Sequence, residues 1–342
     1  MAKAIHPLKR LQYAREATKG TDLPTTRLFL GDSSYKEEAT FFRDATPRGI
    51  VTTVGGAGII THKGTTFSLG SKVGCHYIML PLLSGILGNV SPTGAGADKT
   101  WTFARSSLAV SNPTLDAFTF EYVESDGATN HIARAAHYCM CQKFSLNLAR
   151  GNPTAEWTSE WFGRASQAET LTASITAQSN YDVALIPSEA WKVFLDTTYA
   201  GIGGTQLVGV LVSAALDVNF GTMPITSMDG RADLDFFEHK VESMNGTFKL
   251  TMELDAVSAA IIANWRANSL QYFRLKGTGV ALGGSNYSVQ FDFAARYTGT
   301  YGISYEGENA IVSLDLELVY DTTGTQIMTA VIVNDLAAIA NI

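Results

Sequence analysis

The stretch 246-GTFKLTMELDAVSAAIIANWRANSLQYFRLKGTGVALGGSNYSVQFDFAARYTGTYGISYEGENAIVSLDLELVYD-321 decides how the chain is read. Phe248, Leu250, Met252 and Leu254 alternate with Lys249, Thr251 and Glu253, the period of a half-buried strand. Asp255 then stands where a helix cap belongs, before a segment to about Ala267 whose apolar side carries Val257, Ile261, Ile262 and Trp265. Four more strands are expected after it, at Gln271 to Lys276, Tyr287 to Phe293, Tyr297 to Tyr305 and Ala310 to Tyr320. In the last, Leu314, Leu316, Leu318 and Tyr320 share one face and Ser313, Asp315 and Glu317 the other. One helix lying on twisted antiparallel sheets makes a complete small domain.

The rest of the chain repeats that order in outline. From Gly64 the reading is strand, helix (His76 to Gly88), then strands at Trp101 to Phe103, Phe118 to Val123, Cys139 to Leu148 and Ala155 to Phe162. Phe67 and Leu69 answer Phe248 and Leu250, Phe118 and Phe120 answer Phe291 and Phe293, and Ala155 to Trp161 answers Ile311 to Leu318. The expected class is therefore mainly β, two tandem copies of an antiparallel sandwich or barrel-like unit, each with one flanking helix. The boundaries are an N-terminal arm over 1–25, a first β domain over 26–180 and a second over 181–342. Residues 1–25 are polar, basic and weakly periodic, and read as an arm and not a core element. The second copy opens with the amphipathic PSEAWKVFLD (Pro187 to Asp196), and an acidic stretch, Asp229 to Glu242, precedes Gly246.

Composition narrows the function. Hydrophobic residues make up 46% and charged residues 17% of 342 positions, fewer charges than the roughly 25% of ordinary soluble chains. Such a surface is expected to meet other subunits. The net charge of −7 argues against gripping nucleic acid through its phosphates. Residues 1–180 hold 17 Lys/Arg against 14 Asp/Glu, and 181–342 hold 8 against 18. Opposite surfaces of that kind either steer one half toward a neighbour's other half or are simply solvated faces. No export signal and no run of roughly 18 apolar residues is read, so no membrane contact and synthesis in a cytosol are expected. Three cysteines, Cys75, Cys139 and Cys141, suit a reducing compartment.

Catalytic constellations are weak. His137, Cys139 and Cys141 alternate on one strand face, but ligands about 7 Å apart along a strand suit one zinc ion poorly. Glycine-rich pieces at 55–58, 201–204 and 277–284 lack phosphate-cradling spacing and read as turns. Asp233 and Asp235, with Glu238 and His239 nearby, are the one cluster resembling a hydrolase or metal site, and read better as a solvated acidic loop. No enzyme activity, cofactor or metal is expected.

The second half, in FKLTMELDAVSAAIIANWRANSLQYFRLKGTG, YSVQFDFAARYTGTYGI and AIVSLDLELVYD, resembles the tail tube proteins of long-tailed bacteriophages. TWTFARSS, FTFEYVESDG and YCMCQKFSLNLARGNPTAEWTSEWFGR in the first half are similar in outline, as is the linking PSEAWKVFLDTTYAGIGGTQLVGVLVSAALDVNFG. The resemblance implies a structural virion protein whose subunits pair sheet edges into rings, with rings stacked into a hollow tube through which DNA passes. Two copies per chain imply homotrimeric, pseudo-sixfold rings; one copy would imply homohexamers. Implied partners are the chain itself, tail terminator, tape measure and baseplate proteins, and DNA in transit. A baseplate hub or neck protein of the same fold is the alternative, and a hydrolase using Asp233, Asp235 and His239 a distant third. On this reading Asp292, Asp315 and Glu317 are candidate lumen acids. Lys9, Arg10, Arg15, Lys99, Asp233 and Asp235 are candidate contacts between subunits or rings.

Overall fold

The computed structural model describes residues 9–43, 58–94, 96–106, 114–125, 131–165, 170–172, 184–228 and 235–339. In chain order the elements are β1 (Arg10–Arg15), β2 (Arg27–Phe29), β3 (Asp32–Arg43), β4 (Gly58–Lys72), α1 (Met79–Gly85), β5 (Lys99–Ser106), β6 (Phe118–Ser125), β7 (His131–Ala149), β8 (Glu156–Ala165) and β9 (Thr170–Thr172). They continue as β10 (Trp191–Asp196), β11 (Leu211–Asn219), β12 (Thr222–Ile225), β13 (Glu238–Val241), β14 (Asn245–Glu253), α2 (Ala256–Arg266), β15 (Gln271–Leu282), β16 (Ser285–Glu306), β17 (Asn309–Val319) and β18 (Gln326–Asn334). The protein is mainly β and every pairing between these strands is antiparallel. Among the described residues sixteen strands share one hydrogen-bonded network, and β12 with β13 forms a separate ribbon.

One pairing scheme occurs twice. In the first half the neighbours run β1–β6–β7–β8–β4–β3, and in the second β10–β15–β16–β17–β14–β11. A single correspondence preserves the ladders themselves. Phe67 opposite Trp161 becomes Phe248 opposite Leu316, and Ser33 opposite Leu69 becomes Ala214 opposite Leu250. Phe120 opposite Ala136 becomes Phe273 opposite Phe293, and Leu11 opposite Tyr122 becomes Val193 opposite Leu275. It also keeps buried positions buried, since Phe67, Leu69, Phe120 and Leu11 all map onto residues with almost no exposed surface. A one-residue slip would break this, because strand side chains alternate faces with period two.

The two halves meet along β7 and β11. Seven consecutive residues pair, from Ser213 opposite Ala149 to Asn219 opposite Lys143. On the core side of this joint Ala214, Leu216 and Val218 lie against Leu148, Leu146 and Phe144, all buried. β7 serves this joint by changing partners midway: residues 131–139 pair with β6 and residues 143–149 with β11. The ladder shifts between these segments, where Tyr138 takes φ +53, an uncommon backbone for a bulky residue that marks a bulge. A second connection runs through β18, which pairs with β16 on one edge and β5 on the other. There Trp101 Nε1 donates to Asn334 Oδ1 at 2.9 Å, and Asn334 Nδ2 donates to the Cys75 carbonyl at 2.9 Å. One apolar core consequently spans both halves, from Tyr13, Phe67 and Trp157 to Phe248, Phe273 and Leu316, with Phe144 and Phe291 rings 5.7 Å apart.

The helices differ in cover. α2 begins at a capping box in which Asp255 Oδ1 accepts from Val257 N and Ser258 N at 2.8 and 2.9 Å, while Ser258 Oγ accepts from Asp255 N at 2.8 Å; such caps contribute about 1 kcal/mol. Only Ser258, Ile261 and Ile262 of α2 are buried, whereas all seven residues of α1 are. α1 is enclosed because β11 delivers Phe220 onto it at Gly85.

The structure departs from the sequence reading in four places. Arg10–Arg15, inside the expected arm, is a core strand with Leu11 and Tyr13 buried between β2 and β6. Its two apolar positions are masked in sequence by flanking Lys and Arg. The first helix is shorter than expected, Met79–Gly85. The strands expected at 287–293 and 297–305 are one 22-residue strand, β16, with a ladder shift between Thr298 and Gly302. Phe118 and Phe120 correspond by pairing to Gln271 and Phe273, not to Phe291 and Phe293.

A Cβ at Gly85 would lie inside the Phe220 ring. Gly85→Ala is expected to lower the unfolding free energy by about 1–3 kcal/mol, read as a shift in denaturant midpoint; an unchanged midpoint would mean the α1–β11 contact is loose.

Candidate assembly surfaces

The joint makes one sheet out of two. Its strands run β3–β4–β8–β7–β11–β14–β17–β16, eight in all. Because opposed residues in antiparallel ladders point to the same side, each face can be read from the registers. One face is apolar and buries Phe67, Leu69, Trp157, Trp161, Leu146, Leu216, Phe248, Leu250, Leu314 and Leu316. The other is mostly polar, except at Ile311 and at Phe162, which lies opposite Thr66 and Met140 and is covered by Phe236 next to the β12–β13 ribbon. Among the described residues it carries nine acids, Asp32, Glu38, Glu156, Glu160, Asp217, Glu253, Glu306, Asp315 and Glu317, against five exposed bases, Lys36, Lys72, Lys143, Lys249 and Arg296, and the buried Arg164. The remaining positions are mostly Ser, Thr, Asn and Gly.

Ion pairs consume part of this charge: Lys36 with Glu38 at 2.7 Å, Lys143 with Glu160 at 2.8 Å, Lys72 with Glu156, and Arg150 with Glu306 at 3.7 Å. All are exposed and worth little for stability. What they leave is a mixed row with a small acidic excess. Asp217, Thr247, Glu317 and Arg296 are consecutive across four strands, and Asp315 lies next to that row opposite Lys249.

Among the described residues both ends of this sheet are open. β3 pairs only with β4. At the other end, residues 296–306 of β16 pair with β17 along one edge, while β15 has already ended opposite Ala295 on the other. The core-side residues of this overhang, Ile303 and Tyr305, are 51% and 74% exposed. Reading the sequence did not single them out, although Tyr301, Ile303 and Tyr305 keep strict alternation beyond the last hydrophobic neighbour.

The sequence-derived candidates fall in different settings. Asp315 and Glu317 are exposed on the polar face. Asp292 lies in the other half of β16, where Arg274 donates to both its oxygens at 2.7 and 2.8 Å and Gln290 donates at 2.9 Å. Arg15 is tied to the buried Asp116 at 2.8 and 3.0 Å. Lys9 donates to the Ser33 carbonyl at 3.3 Å and lies 3.9 Å from Asp32, and Lys99 donates to the Gly94 carbonyl at 2.8 Å. Arg10 opens β1 opposite Val123. Asp233 lies outside the described residues.

Asp235 and His239 are spent on packing. Asp235 is 8% exposed and lies 3.7 Å from Arg164, which donates to the Phe236 and Phe237 carbonyls and stacks over Tyr138 and Phe236. His239 Nδ1 is 3.0 Å from the Tyr138 hydroxyl. Together they pin the β12–β13 ribbon over a small core of Leu115, Ala117, Met140 and Phe162. Burial, helped by nearby Lys19, pushes the His239 pKa down to about 4. Cys139 and Cys141 are buried and donate to the Ala136 and Lys143 carbonyls at 3.4 and 3.3 Å. No described helix is long and apolar enough to cross a membrane, and no described group of three or more His, Cys, Asp or Glu could hold a metal ion.

No family model and no curated protein matches the chain. Among solved structures, the tail tube of SPP1, determined by solid-state NMR and cryo-EM, is similar at 13% identity and a TM-score of 0.28, over 43% of this chain and 78% of that one. At that score the likeness carries no argument about this protein.

His239 supplies a pH test. Its folded pKa is depressed from 6.5 to about 4, so the stability it contributes is present above 6.5 and is lost as pH falls toward 4. Glu16, raised by burial, acts in the opposite sense. The melting temperature of the wild-type protein should therefore drop more over this range than that of His239→Gln; equal slopes would show that the ribbon does not hold His239 neutral.

Proposed function

We propose that this chain is the subunit of a hollow phage tail tube, a structural protein without catalysis. The observation that carries the reading is the eight-stranded sheet with one acidic polar face and two open edges at opposite ends. Open edges are sites for adding another strand. An edge that takes a different edge of the next copy is a heterologous contact, and repeated contacts of that kind close into a ring when the rotation allows. Since each chain carries the pairing scheme twice, three chains give a ring with six equivalent positions. The tandem organisation, with the first unit taking in β1 and running to 180 and the second over 181–342, belongs to this proposal.

In such a ring the polar faces line the channel, because the apolar faces are occupied by the helices and the outer strands. A surface of nine acids and five bases, with Ser and Thr between, repels phosphate and lets DNA slide. Asp315, Glu317 and Asp217 supply that field, while Asp292 is compensated by Arg274 and contributes little. The resemblance in the second half adds the setting: a virion tail assembled in a bacterial cytoplasm, with tail terminator, tape measure and baseplate proteins as partners. A hub or neck protein would share the fold and differ in what its faces touch.

Negative-stain microscopy of the concentrated protein tests the reading; stacked rings or tubes are expected, and discrete capped complexes of fixed small copy number would favour the hub. The double variant Asp315→Lys, Glu317→Lys should still form tubes but slow DNA ejection from assembled particles. Unchanged ejection kinetics would remove these carboxylates from the channel.

A further inference from the structure

Among the described residues, the two surfaces that meet at the β7–β11 joint exist a second time in each chain, uncovered. The correspondence between halves places β3 on β11 and β16 on β7. Phe144, Leu146 and Leu148, buried at the joint, then fall on Tyr301, Ile303 and Tyr305. The contrast in burial is large: Leu146 and Leu148 are 0% and 5% exposed, Ile303 and Tyr305 are 51% and 74%. Residues of the same apolar character, on the same side of the equivalent strand, lack only the strand that covers their counterparts.

The helices tell the same story independently. α1, beside the joint, is wholly buried, with Phe220 from the end of β11 seated on Gly85. α2, its counterpart, leaves Ala256, Val257, Ala259, Ala260 and Ala263 exposed. The residue of β3 that corresponds to Phe220 is Ala39; Phe41 and Phe42, 61% and 56% exposed, follow beyond a ladder shift.

We propose that β3 of one subunit adds antiparallel to residues 300–306 of β16 in a second copy of the chain, in the register of the β7–β11 joint. Carrying that register across puts Tyr35 opposite Ile303, Ser33 opposite Tyr305 and Ser34 opposite Ser304. The contact between subunits thereby repeats the contact between halves. Tyr35 covers Ile303 as Leu216 covers Leu146. Two oppositions are less favourable than at the joint: Glu37 takes the place of Val218 against Tyr301, and Asp32 meets Glu306, where a cation already stands on each side, Lys9 3.9 Å from Asp32 and Arg150 3.7 Å from Glu306. The joint deepens the ring reading by naming the strands and the register, and its test separates the two.

Ser34 and Ser304 are exposed, and opposed strand residues bring their Cβ atoms within disulfide reach. The native thiols do not compete, since Cys75, Cys139 and Cys141 are buried. The variant Ser34→Cys, Ser304→Cys, oxidised at high concentration, should give inter-subunit disulfides that accumulate as a closed covalent oligomer. Ser34→Cys with Thr298→Cys, six residues out of register, should not. Rings or tubes without the Ser34→Cys, Ser304→Cys crosslink overturn the joint and leave the tube standing. Crosslinked oligomers that never form rings support the joint and overturn the tube. No crosslink at the highest attainable concentration overturns the joint whatever microscopy shows. Ile303→Asp, at a position open to solvent in the free chain, should keep the monomer's melting temperature and weaken association about tenfold or more; unaltered association would contradict the register.

Discussion

The hydrogen-bonded edge between β7 and β11 is the constraint on which the rest of the molecule depends. A strand edge presents a row of unpaired N–H and C=O groups, and such groups cannot be buried without partners. Here one edge of the first half is satisfied by an edge of the second, from Ala149 opposite Ser213 to Lys143 opposite Asn219. That pairing carries the polar face of one half into the polar face of the other. It also places Leu146 and Phe144 beside Leu216 and Val218 and lets a single core run through the chain. Without it there would be two small sandwiches, each with an exposed apolar flank.

Two long strands make the geometry possible. β7 and β16 each change partner partway along one edge: β7 at the ladder irregularities near Tyr138 and Cys141, and β16 between Phe293 and Ala294, a few residues before its irregularity between Thr298 and Gly302. A bulge bends a strand and increases its twist, so one continuous chain serves two sheets at different inclinations. The first half of each strand belongs to the outer layer. The second half lies in the layer with the polar face. In β7 that second half is covered; in β16 it overhangs, and its exposed Ile303 and Tyr305 mark the place where the molecule is unfinished.

Much of the fold was legible because alternation and burial coincide. Phe248 to Met252 and Leu314 to Leu318 announce core strands, and Asp255 announces a helix start that the structure realises as a capping box with Ser258. The answer of Phe67 and Leu69 to Phe248 and Leu250 reads directly as a preserved ladder. What was not legible depended on tertiary context. β1 carries too few apolar residues to show a period, yet it is buried because β2 and β6 flank it on both edges. The unity of β16 was hidden by Thr298 and Gly299, which look like a turn and act as a bulge inside one strand. Arg15, Asp235 and Asp292 look like free surface charge in the sequence, but each is consumed by a partner distant in the chain or on the next strand: Asp116, Arg164 and Arg274. The candidate lumen acids Asp315 and Glu317 were placed on a polar face by alternation alone. The identity of that face as a sheet continuous through both halves required the joint.

Hydrogen–deuterium exchange, comparing dilute protein with the concentrated assembled form, tests this account most directly. Within 33–38 and 300–306, the alternate amides that point away from β4 and β17 should exchange fast when the chain is dilute and become protected together on assembly. Those of 143–149 and 213–219 should be slow in both states, because the chain already pairs them internally. Assembly that leaves the 33–38 and 300–306 amides as fast as in the dilute chain would contradict the claim that the joint between halves is also the joint between subunits.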